Sequence, residues 1–169
     1  DRLGGLFDFT EGTTYGRLSY DVPLGADGWR LRAAASRLDY ELAGPFEALD
    51  AEGQAETWSL TAAYPWVRTN RLNVRVTAGY EERRYENFVL DGSTSAPHVR
   101  SLQAALSLDR VDAWGGGGLN RFDLRLTRGD LDLSANSTDR ALDALSARRD
   151  GHYTRADWTL ARLQRLGDR

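Results

Sequence analysis

An antiparallel all-β fold is predicted by two features of the 169-residue sequence: the period of its apolar residues and the length of its alternating segments. Successive side chains of a strand point to opposite faces, so a period of two indicates strand. In one clear segment Leu72, Val74, Val76, Ala78 and Tyr80 alternate with more polar residues. Extending this criterion predicts strands near 3–10, 14–22, 28–42, 55–66, 70–85, 98–110, 118–133 and 152–165.

The third of these segments changes phase. Its apolar residues occupy one face up to Ala35 and the other face from Leu38 onwards. One extra residue in a strand shifts the phase in this way, so we expect a β-bulge near Ser36. A short helix is expected at Thr138–Arg149, in the long stretch between the last two strands.

Segment length favours a membrane-spanning sheet over a water-soluble one. Several of the segments have ten or more residues, whereas soluble strands usually have about 5 to 6 and tilted membrane strands about 9 to 11. The connections also alternate. Pro23–Gly28 and Trp66–Asn70 are tight, whereas Ala43–Gln54, Tyr85–Pro97 and Asp130–Gly151 are long. Short turns on one side and longer loops on the other are typical of outer-membrane β-barrels.

The polar side of these segments is expected to face a water-filled lumen. An arginine on the lipid side costs about 2 to 4 kcal/mol at the bilayer midplane, so the apolar side must face lipid. Two interpretations of the lumen remain open: a wall over which an extended polypeptide passes, or a set of cross-strand ion pairs that only keeps the interior wet. The predicted lumen-facing residues are Arg17, Asp21, Arg75, Glu81, Gln103, Asp123, Arg125 and Asp157.

Composition argues against several other classes of protein. The chain has 22 basic residues, all arginine, against 25 acidic ones, and the two signs are interspersed, so a dedicated nucleic-acid surface is not expected. Cysteine is absent, and no apolar run reaches the 18 residues of a membrane helix. The sequence also lacks methionine, from which we expect an internal piece of a longer protein.

No catalytic residue, metal site or cofactor is predicted. The two histidines, His98 and His152, are expected in exposed loops, and there is no cysteine to complete a zinc site. Gly115–Gly118 lacks the Lys and Ser/Thr of a phosphate loop and is interpreted as a tight turn. The aspartates at 130, 132 and 139 lack the Gly and Glu of a calcium loop. No Gly-x-Ser-x-Gly nucleophile motif occurs.

Several motifs occur in a fixed order along the chain. Tyr20–Gly25 is followed by Gly28 and then by Tyr40–Leu42. Further along come Phe46, Leu49 and Gly53, then Tyr64–Arg68, then Asp109, Asp112 and Gly115–Gly118, and finally Leu163–Leu166. This series resembles the haemolysin secretion/activation family of two-partner secretion transporters. The residues that carry the hairpin and strand motifs are Tyr20, Pro23, Gly25, Gly28, Tyr40, Gly53, Tyr64, Pro65 and Arg68.

The resemblance implies a 16-stranded transmembrane β-barrel in the outer membrane of a Gram-negative bacterium, of which residues 1–169 would be about eight strands. It implies a pore that exports a haemolysin- or adhesin-type partner protein, without ATP or covalent chemistry, driven by folding of the partner outside. Its partners would be this exoprotein and outer-membrane lipid, with no nucleic acid. The family's periplasmic repeats and its Val-Arg-Gly-Tyr/Phe loop motif do not occur in this sequence. Two alternatives remain: a complete eight-stranded structural or adhesive barrel, and a soluble β-sandwich binding module.

Overall fold

The chain forms one antiparallel sheet in the computed structural model, which describes residues 1–10, 12–41, 51–89, 92–146 and 148–166. The strands are β1 (Arg2–Thr10), β2 (Thr13–Leu24), β3 (Trp29–Glu41), β4 (Ala51–Arg68), β5 (Leu72–Val89), β6 (Gly92–Ser95), β7 (His98–Asp112), β8 (Gly118–Asp132) and β9 (Gly151–Gln164). An α-helix, α1 (Ser137–Leu145), lies between β8 and β9, and a short 3₁₀ helix, Trp114–Gly116, lies between β7 and β8. The prediction of an antiparallel all-β fold is confirmed.

Sequence neighbours are also neighbours in the sheet. The strand order is β1-β2-β3-β4-β5-β7-β8-β9, and the four-residue strand β6 pairs with the end of β5. Within the described ranges β1 and β9 do not pair with each other, so this sheet is open. The alternative of a closed eight-stranded barrel is therefore not the arrangement seen.

The sheet has two ends with different connections. At the turn end, β2 and β3 are joined by residues 25–28, β4 and β5 by 69–71, and β7 and β8 by 113–117. The predicted turn at Gly115–Gly118 is confirmed there. At the loop end lie β6, α1 and the longer connections.

Helix α1 confirms the predicted rim helix, although it begins one residue earlier and ends before Arg149. It begins after Asn136, whose side chain accepts hydrogen bonds from the Thr138 and Asp139 N–H groups at 2.9 and 3.2 Å. Such a cap satisfies N–H groups that have no partner inside the helix. Within the described ranges, no helix has the length and apolar character needed to cross a membrane.

The β-bulge expected near Ser36 is wrong. Ser36 pairs without a register shift with Arg17 on one side and Thr57 on the other. The apolar phase changes because β3 extends beyond the apolar part of the sheet. From Arg37 onwards, charged residues occupy the face that carries the apolar residues up to Ala35. Register shifts occur instead between Pro65 and Val67 on β4, next to a proline that has no N–H to donate, and between Asn87 and Phe88 where β5 pairs with β6.

The sheet has no hydrophobic core of its own. Leu133 is the one buried apolar residue in the described part of the chain, and no second layer covers either face there. A β-sandwich buries its apolar positions between two sheets. The sandwich alternative therefore disagrees with the structure. The apolar face of the sheet is not covered by another layer among the described residues.

Candidate functional site

All eight predicted lumen-facing residues lie on one face of the sheet. Residues directly opposite each other in neighbouring strands point to the same side. Arg75 is opposite Ser107, which is opposite Asp123, and Arg125 is opposite Asp157 in the next row. Following the registers in this way gives the polar face, defined by Arg17, Asp21, Arg75, Glu81, Gln103, Asp123, Arg125 and Asp157. Its orientation towards a lumen stays a prediction.

Ion pairs occupy part of the polar face. Asp21 on β2 pairs with Arg30 and, at 3.1 Å, with Arg32 on β3. Farther along the sheet, Arg155 pairs with Asp157 at 2.7 Å, and Arg121 with Asp109 at 2.8 Å. The arginines of these pairs are about half exposed or more, so each pair adds little stability. Their main consequence is a hydrated surface.

Three other arginines of the polar face differ from those that form these ion pairs. Among the described residues, no side chain pairs with Arg17, Arg75 or Arg125, and all three are exposed. Arg75 and Arg125 line one cleft of about 300 Å³ together with Gln103. Much of the rest of this cleft is formed by small side chains, namely Ser59, Thr61, Thr77, Gly79, Ala105 and Ser107.

The opposite face carries an apolar band. Leu60, Tyr80 and Leu102 are opposite one another in one row, and Val76, Leu106 and Leu124 in another. Several of these side chains are exposed; Leu102, for example, is 62% exposed. We call this surface the apolar band; its central members are Leu60, Ala62, Val74, Val76, Ala78, Leu102, Leu106, Leu108, Phe122, Leu124, Leu126, Trp158 and Leu160.

Two of the sequence motifs meet at the turn end. Gly28 closes the β2–β3 turn with a φ of 89°, which a side chain would strain. A Cβ atom at Gly28 would also lie 2.9 Å from Cγ of Pro65 on β4. Beside this contact, the rings of Trp29 and Tyr64 stack with centroids 4.8 Å apart. The hairpin motif and the Tyr-Pro motif therefore form one packed corner.

A second contact between motif residues lies at the loop end. Tyr40 is directly opposite Gly53, and its Oη donates a hydrogen bond of 2.5 Å to Oδ1 of Asn87 on the next strand. The tyrosine side chain thus lies across the backbone of Gly53, which is buried. A Cβ atom at Gly53 would lie 2.6 Å from Cζ of Tyr40.

The remaining motif residues are not brought together. Tyr20 Oη donates to Oδ2 of Asp1, the residue before β1, at 3.2 Å, and Gly25 occupies the β2–β3 turn with a φ of 68°. Pro23 pairs in register with Arg30, and Arg68 is exposed at the end of β4. Phe46, Leu49 and Leu42 lie outside the described residues.

We expect Gly53→Ala to destabilise the sheet by about 1 to 3 kcal/mol, the usual range for overpacking a filled site. The clash is with a tyrosine ring held by Asn87, so Gly53→Ala should cost less in a Tyr40→Ala background. The measurement is the temperature at which the folded, heat-modifiable form is lost. Gly5→Ala is the matched control, because a Cβ there meets its nearest atom at 3.9 Å. Equal effects of the two substitutions would contradict this packing role.

A cluster at the turn end was not found from the sequence. Arg162 on β9 makes a bidentate ion pair with Asp112, with nitrogen–oxygen distances of 2.7 and 3.0 Å. It also donates to the side chain of Asn120 at 2.6 Å and to the Trp114 carbonyl at 3.1 Å, and its guanidinium lies 4.9 Å from the centre of the Trp114 ring. Gln164 completes this turn-end cluster by donating to the carbonyls of Gly115 and Gly117 at 2.5 and 3.1 Å.

The hydrogen bonds of this turn-end cluster lower the pKa of Asp112. Hydrogen bonds from Arg162 and then from Asn120 hold the pKa of Asp112 well below its usual range, and the Trp114 N–H acts in the same direction. The sequence offered one signal for the cluster: Asp112 and Gln164 both belong to the motifs described above. Arg162 and Asn120 carried no such signal, because only the register shows that they are opposite each other.

The histidines and loop aspartates have structural partners. His98 is not an exposed loop residue as expected: it begins β7, is 18% exposed, and lies 2.7 Å from Oε1 of Glu82. His152 is 79% exposed and lies 2.6 Å from Asp130. Asp139 accepts hydrogen bonds from Ser95 and Ala96, both at 2.9 Å, and so ties α1 to the loop before β7. Among the described residues, no three His, Asp or Glu side chains are placed to hold a metal ion.

Comparison with known families decides the identity. Residues 8–165 match the family described as haemolysin secretion/activation protein ShlB/FhaC/HecB. The chain belongs to this family. The match covers nearly the whole sequence and all strands from β2 to β9. No curated protein and no solved structure matches the chain.

Membership of the ShlB/FhaC/HecB family confirms the resemblance drawn from the motifs. Proteins of this family are outer-membrane transporters of Gram-negative bacteria that act in two-partner secretion, and they are not enzymes. An open, strongly exposed apolar band agrees with this location, since lipid can cover it.

Proposed function

We propose that the polar face forms part of the wall of an outer-membrane pore through which a secreted partner protein of the haemolysin or adhesin type crosses as an extended polypeptide. The observation that carries this proposal is the continuity of the polar face from β2 to β9, together with Arg75 and Arg125 on it, which have no side-chain partner among the described residues. Family membership supports the same conclusion.

The side chains of the polar face are suited to the passage of an extended polypeptide. The small side chains of the cleft leave room beside an extended backbone, and Arg75, Gln103 and Arg125 present donors that can meet its carbonyl groups. Such contacts are individually weak and interchangeable in water, so that no single contact should hold the chain in place. We propose, as the family resemblance implies, that folding of the partner outside drives export without ATP.

The exposed apolar band supports outer-membrane lipid as the other partner. Its residues would meet the acyl chains, while the polar face stays hydrated. The interspersed charges and the net charge of −3 give no reason to add nucleic acid to these partners. The proposal includes no covalent step and no cofactor.

The experiment is export of the partner protein by single variants of the full-length transporter. Because the wall contacts are interchangeable, Arg75→Ala, Gln103→Ala, Asp123→Ala and Arg125→Ala should each leave most of the export intact. Export is measured as partner protein in the medium, normalised to folded transporter in the outer membrane.

Pro65→Gly is the contrasting variant. It removes the ring that packs against Gly28, so it should lower the amount of folded transporter and leave export per folded molecule unchanged. Loss of export in one of the four alanine variants at a normal level of folded transporter would overturn the passive-wall proposal. A specific binding or gating role for that residue would then replace it.

A further inference from the structure

Three arginines cluster on the apolar face at the loop-end border of the apolar band. Arg84 lies on β5, Arg100 on β7 and Arg128 on β8, and all three are exposed. Arg128 is directly opposite Leu102 of the apolar band, and Arg100 is one row farther towards the loop end, opposite Glu82. Basic side chains therefore stand next to apolar surface on the side of the sheet that faces away from the polar face.

Among the described residues, only Arg84 of the three arginines is paired with a nearby acidic group, Glu82. Glu82 is only 6% exposed and its carboxylate is already occupied. Its Oε1 accepts from Arg84 at 2.8 Å and lies 2.7 Å from His98, and its Oε2 accepts from Tyr80 at 3.2 Å. Asp130 lies 2.6 Å from His152. Glu82 is thus paired with Arg84 and His98, and Asp130 with His152, which leaves Arg100 and Arg128 as the arginines that can bind a further anion.

Arg100 and Arg128 keep most of their donors free. The hydrogen bond of Arg100 is a long one, 3.4 Å, from Nη2 to Nδ1 of His98. Within the described ranges, no side chain pairs with Arg128. A guanidinium group has five N–H donors in a planar fork that fits phosphate oxygens, so these two residues can bind a phosphate between them.

The surroundings determine which phosphate compound fits. Leu102, in the row of Arg128, is 62% exposed, and Trp58, in the row of Arg100, is 45% exposed. A ligand with a phosphate group and an acyl chain would satisfy both kinds of surface. We infer that Arg100 and Arg128, next to the ion-paired Arg84, form a binding site for the phosphate headgroup of an anionic membrane lipid whose acyl chain lies along the apolar band.

This inference rests on the proposed placement of the apolar band in lipid, but not on the transport of a polypeptide. Basic residues close to a membrane surface attract anionic lipids, and Arg is the side chain best suited to phosphate. The site would fix the height of the sheet in the membrane at its loop end.

The test uses the full-length protein purified in dodecylmaltoside and titrated with dioctanoyl phosphatidic acid, with lipid retention read by native mass spectrometry. The double variant Arg100→Gln/Arg128→Gln should bind this lipid about tenfold or more weakly, since each basic residue at the surface contributes several-fold. Arg125→Gln is the matched control: it changes an exposed arginine of β8 that lies on the polar face and that, like Arg128, has no side-chain partner in the described part of the chain. The Arg125→Gln variant should bind the lipid with the same affinity as the unsubstituted protein.

Three results would overturn the inference: unchanged affinity in the double variant, an equal loss in Arg125→Gln, or complete competition by millimolar inorganic phosphate, which would indicate a site for free anions. Leu102→Cys separates this failure from that of the proposed membrane placement. If this cysteine reacts freely with an aqueous maleimide in membranes, the placement itself is wrong. If it is shielded while the double variant binds normally, only the lipid site is wrong.

Discussion

Cysteines substituted on the two faces of the sheet should react very differently with an aqueous maleimide in outer membranes. Val76→Cys, Leu106→Cys and Leu124→Cys lie in the apolar band and should be shielded by lipid, whereas Thr77→Cys, Gln103→Cys and Arg125→Cys lie on the polar face and should be labelled. The expected difference is large because each pair of neighbours, such as Val76 and Thr77, points to opposite sides of one strand. The measurement is the labelled fraction of folded protein.

The sequence has no native thiol that would add background labelling to this experiment. It contains no cysteine, so each variant carries a single thiol within these residues. Labelling after denaturation is the control for equal reactivity of all six thiols. Similar labelling on both faces of the folded protein would contradict the membrane placement, and with it both the pore proposal and the lipid site.

The period of the apolar residues was enough to predict most of the strands. In β5, Leu72 to Tyr80 alternate over the whole width of the apolar band, so the pattern indicates both the strand and its apolar side. Beyond Tyr80 the same strand continues to Val89 with charged residues on both faces. There the alternation disappears because the strand extends beyond the apolar band and carries polar side chains on both faces. The ends of β4 and β5 were therefore missed, as was the short strand β6.

Contacts between distant strands were much less predictable. The motif residues Tyr40 and Gly53 were found as sequence letters, but only the register shows that the ring lies across the glycine. The prediction of a bulge near Ser36 was wrong for a related reason. A change of apolar phase occurs either where a strand has an extra residue or where it extends beyond the apolar band. The sequence pattern is the same in both cases. Arg162 and its partner Asp112 are separated by 50 positions, and no local pattern connects them.

The turn-end cluster leads to the second large effect that we expect. Arg162→Gln should markedly lower the thermal stability and the assembled amount of the transporter. One guanidinium bridges Asp112, Asn120 and the Trp114 carbonyl, so its removal loosens the β7–β8 turn from β9 and leaves the aspartate without its ionic partner. The measurement is the temperature at which the heat-modifiable form is lost. Arg121→Gln, which breaks one exposed ion pair of 2.8 Å with Asp109, is the matched control and should have a small effect.

The same cluster predicts a particular dependence on pH. The pKa of Asp112 is lowered in the folded protein by Arg162 and Asn120, so folding favours the ionised carboxylate. The stabilisation is fully present above the unfolded pKa of about 4 and is lost as the pH falls through the lowered value. Asp112→Asn should therefore be less stable than the unsubstituted protein at neutral pH, and this difference should shrink in strongly acidic solution. A difference that stays constant between pH 7 and strongly acidic solution would show that the ion pair is not what joins β9 to the turn.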